Sequence, residues 1–139
     1  MLDSELNAIE TRIAALGRQA TELKEAKQLD AAVQCLVEAK ALMVIAPFGY
    51  TAESWCRLPL YLQHANRHSE AMAEFETLLA DLPALARRYA GVGNPNSYRT
   101  AKEKRSYCAF IERGHRKVIK AKMALVIERE DKRLRSMTP

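Results

Sequence analysis

The residue types best suited to metal binding or nucleophilic chemistry in this 139-residue chain are three histidines and three cysteines. His64 and His68 stand four positions apart, a spacing of zinc ligands on one helix, but Asn66 and Arg67 between them read as a turn and no third ligand is near. His115 lies among arginines and lysines, which favour its neutral form, and we interpret it as a surface residue. These histidines do not predict a metal site.

The cysteines also lack a reactive arrangement. Cys35, Cys56 and Cys108 occur singly on apolar helix faces, with no C-x2-C pair, so we expect buried free thiols. A Gly-rich phosphate loop, a G-x-S-x-G elbow and an H-E-x-x-H motif are all missing from the sequence. The residues therefore predict a protein that is not an enzyme and has no cofactor, since a catalytic site would have to be assembled from scattered positions.

Composition predicts the fold class and the compartment. Hydrophobic residues make up 48% and charged residues 28%, with only five Gly and five Pro and few β-branched runs, which favours helix over sheet. We expect one all-α domain over residues 1–139. No stretch approaches the roughly 18 apolar residues of a membrane span, and the N-terminus opens with acidic residues. A cytoplasmic protein without a membrane partner is the expectation.

Two pairs of amphipathic helices are predicted in the first two-thirds of the chain. Apolar residues recur at helical spacing at Leu6, Ile9, Ile13, Leu16, Ala20 and Leu23, at Ala32, Val33, Leu36, Ala39 and Met43, at Trp55, Leu58 and Leu62, and at Ala71, Phe75, Leu78 and Leu79. Matching Ala32 with Ala71 also matches Leu16 with Trp55. The sequence therefore contains the pattern twice, with a period of 39 residues.

The second pair carries a family motif. Its residues Trp55-x2-Leu58, Ala71-x3-Phe75 and Pro83 keep the order of the tetratricopeptide signature, W-x2-L-G-x2-Y, A-x3-F and Pro. The stretch thus resembles one tetratricopeptide-type helical hairpin.

The match is incomplete in two respects. Pro59 stands where the signature has Gly, and Leu62 stands where it has Tyr. The predicted repeats, about residues 10–44 and 51–83, also have a longer period than the usual figure of about 34. Pro59 lies inside the third helix and predicts a kink or a break there.

The resemblance implies a module that binds peptides or protein surfaces through the inner face of each first helix. The matching positions are held by Thr21, Lys24, Glu25, Glu53, Leu60, Gln63 and His64. The Lys and Asn pattern with which one subclass clamps a C-terminal carboxylate is not visible at these positions. The alternative is that the long terminal helices fill this groove.

The last third of the chain is predicted to contain a short helix over residues 83–91, a loop, and a long helix over about residues 97–131. The expected packing face of the long helix is Tyr107, Ile111, Gly114, Val118, Ala121 and Leu125. Because such a helix is longer than a hairpin is tall, we also expect self-association, a homodimer, through Leu125, Val126, Ile127 and Leu134.

Positive charge is concentrated in the same segment. From Ser97 onward there are 13 Lys and Arg against 5 Asp and Glu, a net charge of +8, while residues 1–96 carry −3. A basic cluster is formed by Arg113, Arg116, Lys117 and Lys120. Such a cluster suits an acidic protein surface or nucleic-acid phosphates, but no aromatic residue interleaves it and no recognition motif frames it.

The sequence therefore predicts a non-catalytic protein–protein interaction module that acts as an adaptor, a chaperone or a stoichiometric inhibitor. An accessory protein of phage or plasmid type fits this size, although no residue points to it specifically. The alternative hypothesis is a nucleic-acid-binding protein that uses the basic C-terminal helix.

Overall fold

A computed structural model describes residues 2–91 and 98–138, and those residues form helices without a strand. The five helices are α1 Asp3–Glu25, α2 Leu29–Ile45, α3 Ala52–His64, α4 His68–Gly91 and α5 Ala101–Ser136. The predicted all-α class is confirmed. Residues 92–97, which include most of the predicted loop and the predicted start of the last helix, lie outside the described residues.

Contacts divide the chain into two compact units, Met1–Phe48 with α1 and α2, and Gly49–Pro139 with α3, α4 and α5. The expectation of one domain stays a prediction. In the first unit, α1 packs against α2 through the predicted apolar stripes: Leu16 and Ala20 are buried, and so are all five predicted residues of α2. An exposed ion pair joins the two helices, with Arg12 Nη2 3.0 Å from Glu38 Oε1.

The core of the second unit lies among α3, α4 and α5, and Trp55 and Phe75 are buried in it as their spacing predicts. Thr51 caps α3 by accepting a hydrogen bond from the Ser54 backbone N–H at 3.2 Å. The helix runs through Pro59, which is itself buried, so the alternative of a break at that residue is wrong.

At Pro83 the structure also differs from the sequence prediction. Helix α4 passes through Pro83 and ends at Gly91, so residues 83–91 are its last turns and not a separate short helix. Proline removes only one backbone donor, while the apolar period continues beyond it. Leu82, Leu85, Ala86 and Ala90 are buried, and this packing keeps the segment helical.

The turns that join α1 to α2 and α3 to α4 have the same geometry. Lys27 has φ 61° and Asn66 has φ 60°, the two left-handed non-glycine residues in the described chain. The next residue of each turn donates its backbone N–H five residues back, from Gln28 to Leu23 O at 2.8 Å and from Arg67 to Leu62 O at 2.9 Å. This is the Schellman arrangement of a helix C-terminus.

The equivalent turn positions are separated by 39 residues, from 27 to 66 and from 28 to 67. This separation equals the period that the apolar side chains predict. Backbone hydrogen bonds and side-chain spacing therefore give the same alignment of the two helix pairs.

Helix α5 begins after Thr100, whose hydroxyl accepts a hydrogen bond from the Glu103 backbone N–H at 3.1 Å. Its rotation differs from the prediction. The fully buried residues are Ile119 and Val126, while Tyr107 and Leu125 of the expected packing face are exposed. The packed side is thus displaced by one residue, about 100° around the helix.

The physical reason for this difference is the chemistry of the packed side. Between and beyond its two buried residues it contains half-buried His115, Lys122 and Glu130, which a hydropathy pattern counts as polar. The aliphatic stems of long polar side chains can cover apolar surface while their charged ends stay in water.

The left-handed turns supply a stability test. A non-glycine residue in this region costs about 1–2 kcal/mol, so Lys27→Gly should raise the free energy of unfolding by about 1 kcal/mol. Asn66→Gly should raise it by less, because asparagine tolerates the conformation better. Chemical denaturation would measure both, with Gln28→Gly as the neighbouring control at φ −97°, which should not stabilise. A loss of stability for both turn variants would contradict the shared geometry.

Candidate functional site

The position of α5 is fixed by its contacts with α3 and α4. Ile119 and Val126 are 1% and 0% exposed, and they belong to the side of α5 that meets those two helices. Beyond Val126, Arg129 Nη1 donates a hydrogen bond to Gln63 Oε1 of α3 at 3.3 Å. The C-terminal half of α5 therefore lies beside the end of α3.

A charged group attaches the same part of α5 to the beginning of α4. Arg133 holds both oxygens of Glu130, with Nη2 2.6 Å from Oε1 and Nε 3.0 Å from Oε2. His68 Nδ1 of α4 lies 4.0 Å from Glu130 Oε2. The Arg133 hydrogen bonds are the main cause that lowers the pKa of Glu130 below its usual value, and the nearby His68 adds to the effect. Glu130 is thus a carboxylate at neutral pH.

The side of α5 turned away from this packing exposes large apolar residues. Phe110 is 62% exposed, Tyr107 and Leu125 are also exposed, and the rings of Tyr107 and Phe110 stack with centroids 6.3 Å apart. Tyr98 extends the aromatic group, since its ring lies 5.5 Å from that of Tyr107 and its hydroxyl donates to Ala90 O at 2.7 Å. These contacts connect the aromatic group to the end of α4.

The predicted basic cluster lies next to these aromatic residues. Arg113, Lys117 and Lys120 are exposed on the outer side of α5, whereas Arg116 is half-buried and lies 3.1 Å from Glu112. Phe110 precedes Arg113 by one helical turn on that outer side. An exposed aromatic ring thus lies beside the cluster, although none lies within residues 113–120.

A cleft of about 360 Å³ opens between the second half of α4 and the first turns of α5. Its lining consists of Pro83, Arg87, Ala101, Lys104, Arg105, Cys108, Ala109 and Glu112. The floor is formed by small apolar residues and a thiol, and the rim has three cations and one carboxylate. Sequence reasoning missed this cleft because it placed Pro83 at the start of a separate helix. The small residues Ala101 and Cys108, seven positions apart on one helix side, were the signal for a gap.

The residues predicted for an inner groove are distributed over both units. Thr21 and Lys24 belong to the first unit, where Thr21 Oγ1 donates to Gly17 O at 3.2 Å and Lys24 is half-buried. In the first unit Glu25 is exposed at the end of α1.

The four remaining groove residues lie on α3 in the second unit. Exposed Glu53 and half-buried Leu60 and His64 share one side of α3 by their spacing of seven and four. Gln63 lies on the side that α5 covers, as its hydrogen bond to Arg129 shows. The role of these seven residues in binding stays a prediction.

The remaining histidine and the thiols occupy mixed environments. His115 is half-buried with its ring 5.3 Å from that of Tyr89, and burial, not the neighbouring cations, is what lowers its pKa. Cys35 and Cys56 are buried as expected, but Cys108 is only half-buried at the cleft. Among the described residues, no group of three or more His, Cys, Asp and Glu is arranged to hold a metal ion.

Within residues 2–91 and 98–138, every helix is too short or too polar to cross a bilayer. No protein-family model, curated protein or solved structure matches this chain.

The different surroundings of the thiols lead to a labelling test. Burial raises the pKa of Cys56 to about 11, so this thiol stays protonated and shielded at neutral pH, while Cys108 is open to the cleft. We expect N-ethylmaleimide to modify Cys108 first, and Cys35 and Cys56 only after denaturation, in a time course followed by mass spectrometry. Because the unfolded state loses the Cys56 proton at lower pH, stability should fall as pH rises from about 9 towards 11. Equal labelling rates for Cys56 and Cys108 in the folded protein would contradict this arrangement.

Proposed function

We propose that this protein is a non-catalytic interaction module that binds an acidic surface of another protein through the outer side of α5. The observation that carries the proposal is the division of α5 into two sides. One side is packed on α3 and α4, and the other exposes the stacked rings of Tyr107 and Phe110 next to Arg113 and Lys117.

This combination is typical of a docking surface and not of a solvated helix. Exposed apolar residues that cluster, rather than lie singly, favour association because a partner removes them from water. Aromatic residues are the usual anchors of such contacts, and basic residues around them steer and orient an acidic partner. The net charge of +8 from Ser97 onward favours a partner whose surface is negatively charged.

We further propose that the two helix pairs are copies of a tetratricopeptide-like hairpin. The equivalent turns at Lys27 and Asn66 and the equivalent buried residues Ala32 and Ala71 support this relation. In such a module, Leu60 and His64 on the exposed side of α3 would provide a second contact. It would act in the cytoplasm as an adaptor, a chaperone or a stoichiometric inhibitor by occupying a surface of its partner.

Nucleic-acid binding is the second candidate function, and the position of Phe110 favours it. An exposed aromatic ring one turn before Arg113, with Lys117 on the same outer side, can stack on a base while the cations contact phosphates. The two candidates differ in salt dependence. A duplex partner would give a log–log slope of about −0.9 for each phosphate contact, whereas a partner held by apolar anchors would give a shallower one.

The test is capture of partners from nuclease-treated lysate of the source organism, followed by binding measurements with each identified protein. We expect Phe110→Ser and Lys117→Glu each to weaken binding about tenfold, which is about 1.4 kcal/mol. The matched controls are Val44→Ser and Arg18→Glu, two exposed residues of α2 and α1, which should leave binding unchanged.

Two outcomes would count against protein docking. One is equal weakening by the control variants. The other is sub-micromolar binding of a duplex or single-stranded oligonucleotide at about 150 mM salt, which is tighter than the usual non-specific range. It would be accompanied by the loss of all captured proteins after nuclease treatment of the lysate.

A further inference from the structure

The packed side of α5 changes character along the helix. In the C-terminal half, Ile119 and Val126 fill the space against the neighbouring helices and are almost fully buried. Towards the N-terminus the same side continues through Glu112, Cys108 and Ala101, which are smaller or polar. The packing therefore opens into the cleft of about 360 Å³ beside Pro83 and Arg87 of α4.

An opening of this kind differs from an ordinary surface irregularity. Protein interiors are packed to the density of organic crystals, so a gap that continues a buried helix side leaves apolar groups in contact with water. Pro83, Ala101, Cys108 and Ala109 are those groups here. An apolar side chain from outside would restore the missing contacts.

The charge around the cleft determines which residues of a bound chain would flank that apolar side chain. Arg87, Lys104 and Arg105 form the rim, and its one carboxylate, Glu112, is 3.1 Å from Arg116 and so already has a cation partner. The rim is consequently positive. Arginine binds a carboxylate through two parallel hydrogen bonds, which adds orientation to the attraction.

We infer that this cleft binds a short segment of the partner protein in which an aliphatic side chain is flanked by Asp or Glu. The aliphatic side chain packs on Pro83 and Cys108, and the carboxylates pair with Arg87 and Arg105. Because the cleft is open and lies on the helix that also exposes Tyr107, it suits an extended chain more than a small enclosed ligand. This inference rests on the proposed function and specifies the chemistry of the partner.

The experiment is selection from a phage-displayed random peptide library on the full chain. Enriched peptides should contain Leu, Ile, Val or Met with acidic neighbours. A synthetic fluorescent peptide of the enriched sequence should bind about tenfold more weakly to Arg105→Glu and to Arg87→Glu, a loss of about 1.4 kcal/mol. Arg18→Glu and Arg135→Glu, which are exposed outside both the cleft and the proposed docking surface, should bind it like the unmodified chain.

Cys108 gives a second readout that does not depend on refolding a variant. Modification of Cys108 by N-ethylmaleimide in the folded protein fills part of the cleft and should block the peptide, and bound peptide should in turn slow the modification. Circular dichroism of each variant and of the modified protein shows whether the helices are intact.

Three results would overturn the inference: no enrichment, enrichment of peptides without acidic residues, or peptide binding that is unaffected by both Arg105→Glu and the Cys108 modification. Binding of a single-stranded dT oligonucleotide that Arg105→Glu abolishes, with no binding of acidic peptides, would also overturn it.

If a partner protein is lost on Phe110→Ser but not on Arg105→Glu, the cleft inference fails and the proposed function stands. If acidic peptides bind the cleft while Phe110→Ser and Lys117→Glu leave the partner bound, the proposed docking through the outer side of α5 fails and the cleft inference stands.

Discussion

The burial of Ile119 and Val126 against α3 and α4 is the constraint on which the surface of the second unit depends. A helix of 36 residues extends for about 54 Å, and its rotation determines which side chains reach water along that whole length. Two residues seven positions apart are enough to set the rotation, because each occupies a place in a close-packed interior. Near the C-terminal end, the hydrogen bond of Arg129 to Gln63 and the approach of Glu130 to His68, at 4.0 Å, agree with the same rotation.

Both proposed sites on α5 depend on that rotation. It turns Tyr107, Phe110 and Leu125 outwards, on a helix whose cations also face water, and so produces a surface with apolar anchors and positive charge. It also directs Ala101 and Cys108 towards α4, where their small size leaves a cleft. The outer side and the cleft are distinct sites, but the same partner chain with alternating apolar and acidic residues suits both.

The sequence predicts most of the first two helix pairs, because each of these helices has one apolar side and its period is unambiguous. The predicted packing residues are buried where the spacing places them. In α2 they are Ala32, Val33, Leu36, Ala39 and Met43, and in the second unit they are Trp55 and Phe75. The period of 39 residues is also visible in the sequence, and the turns at Lys27 and Asn66 repeat with it. The left-handed conformation of Lys27 was not predictable from residue type, since lysine has no special preference for it, whereas asparagine, at position 66, adopts it more readily.

The sequence predicts less of α5 and of the cleft, for reasons that lie in tertiary packing. Apolar residues occur on two sides of α5, and the side that includes Leu125 has the more regular pattern, although Val126 is the buried residue. Pro83 is an ordinary helix starter, and only the buried residues after it keep α4 continuous. The cleft combines residues from positions 83 to 112, which no local pattern connects.

The rotation of α5 is tested most directly by introducing single cysteines at two adjacent positions, Leu125→Cys and Val126→Cys, in a Cys108→Ser background. The labelling rate of each new thiol in the folded protein, relative to its rate after denaturation, reports its exposure. The structure requires Leu125→Cys to react readily and Val126→Cys to be strongly protected. Protection of Leu125→Cys together with rapid labelling of Val126→Cys would contradict the rotation, and with it both proposed sites.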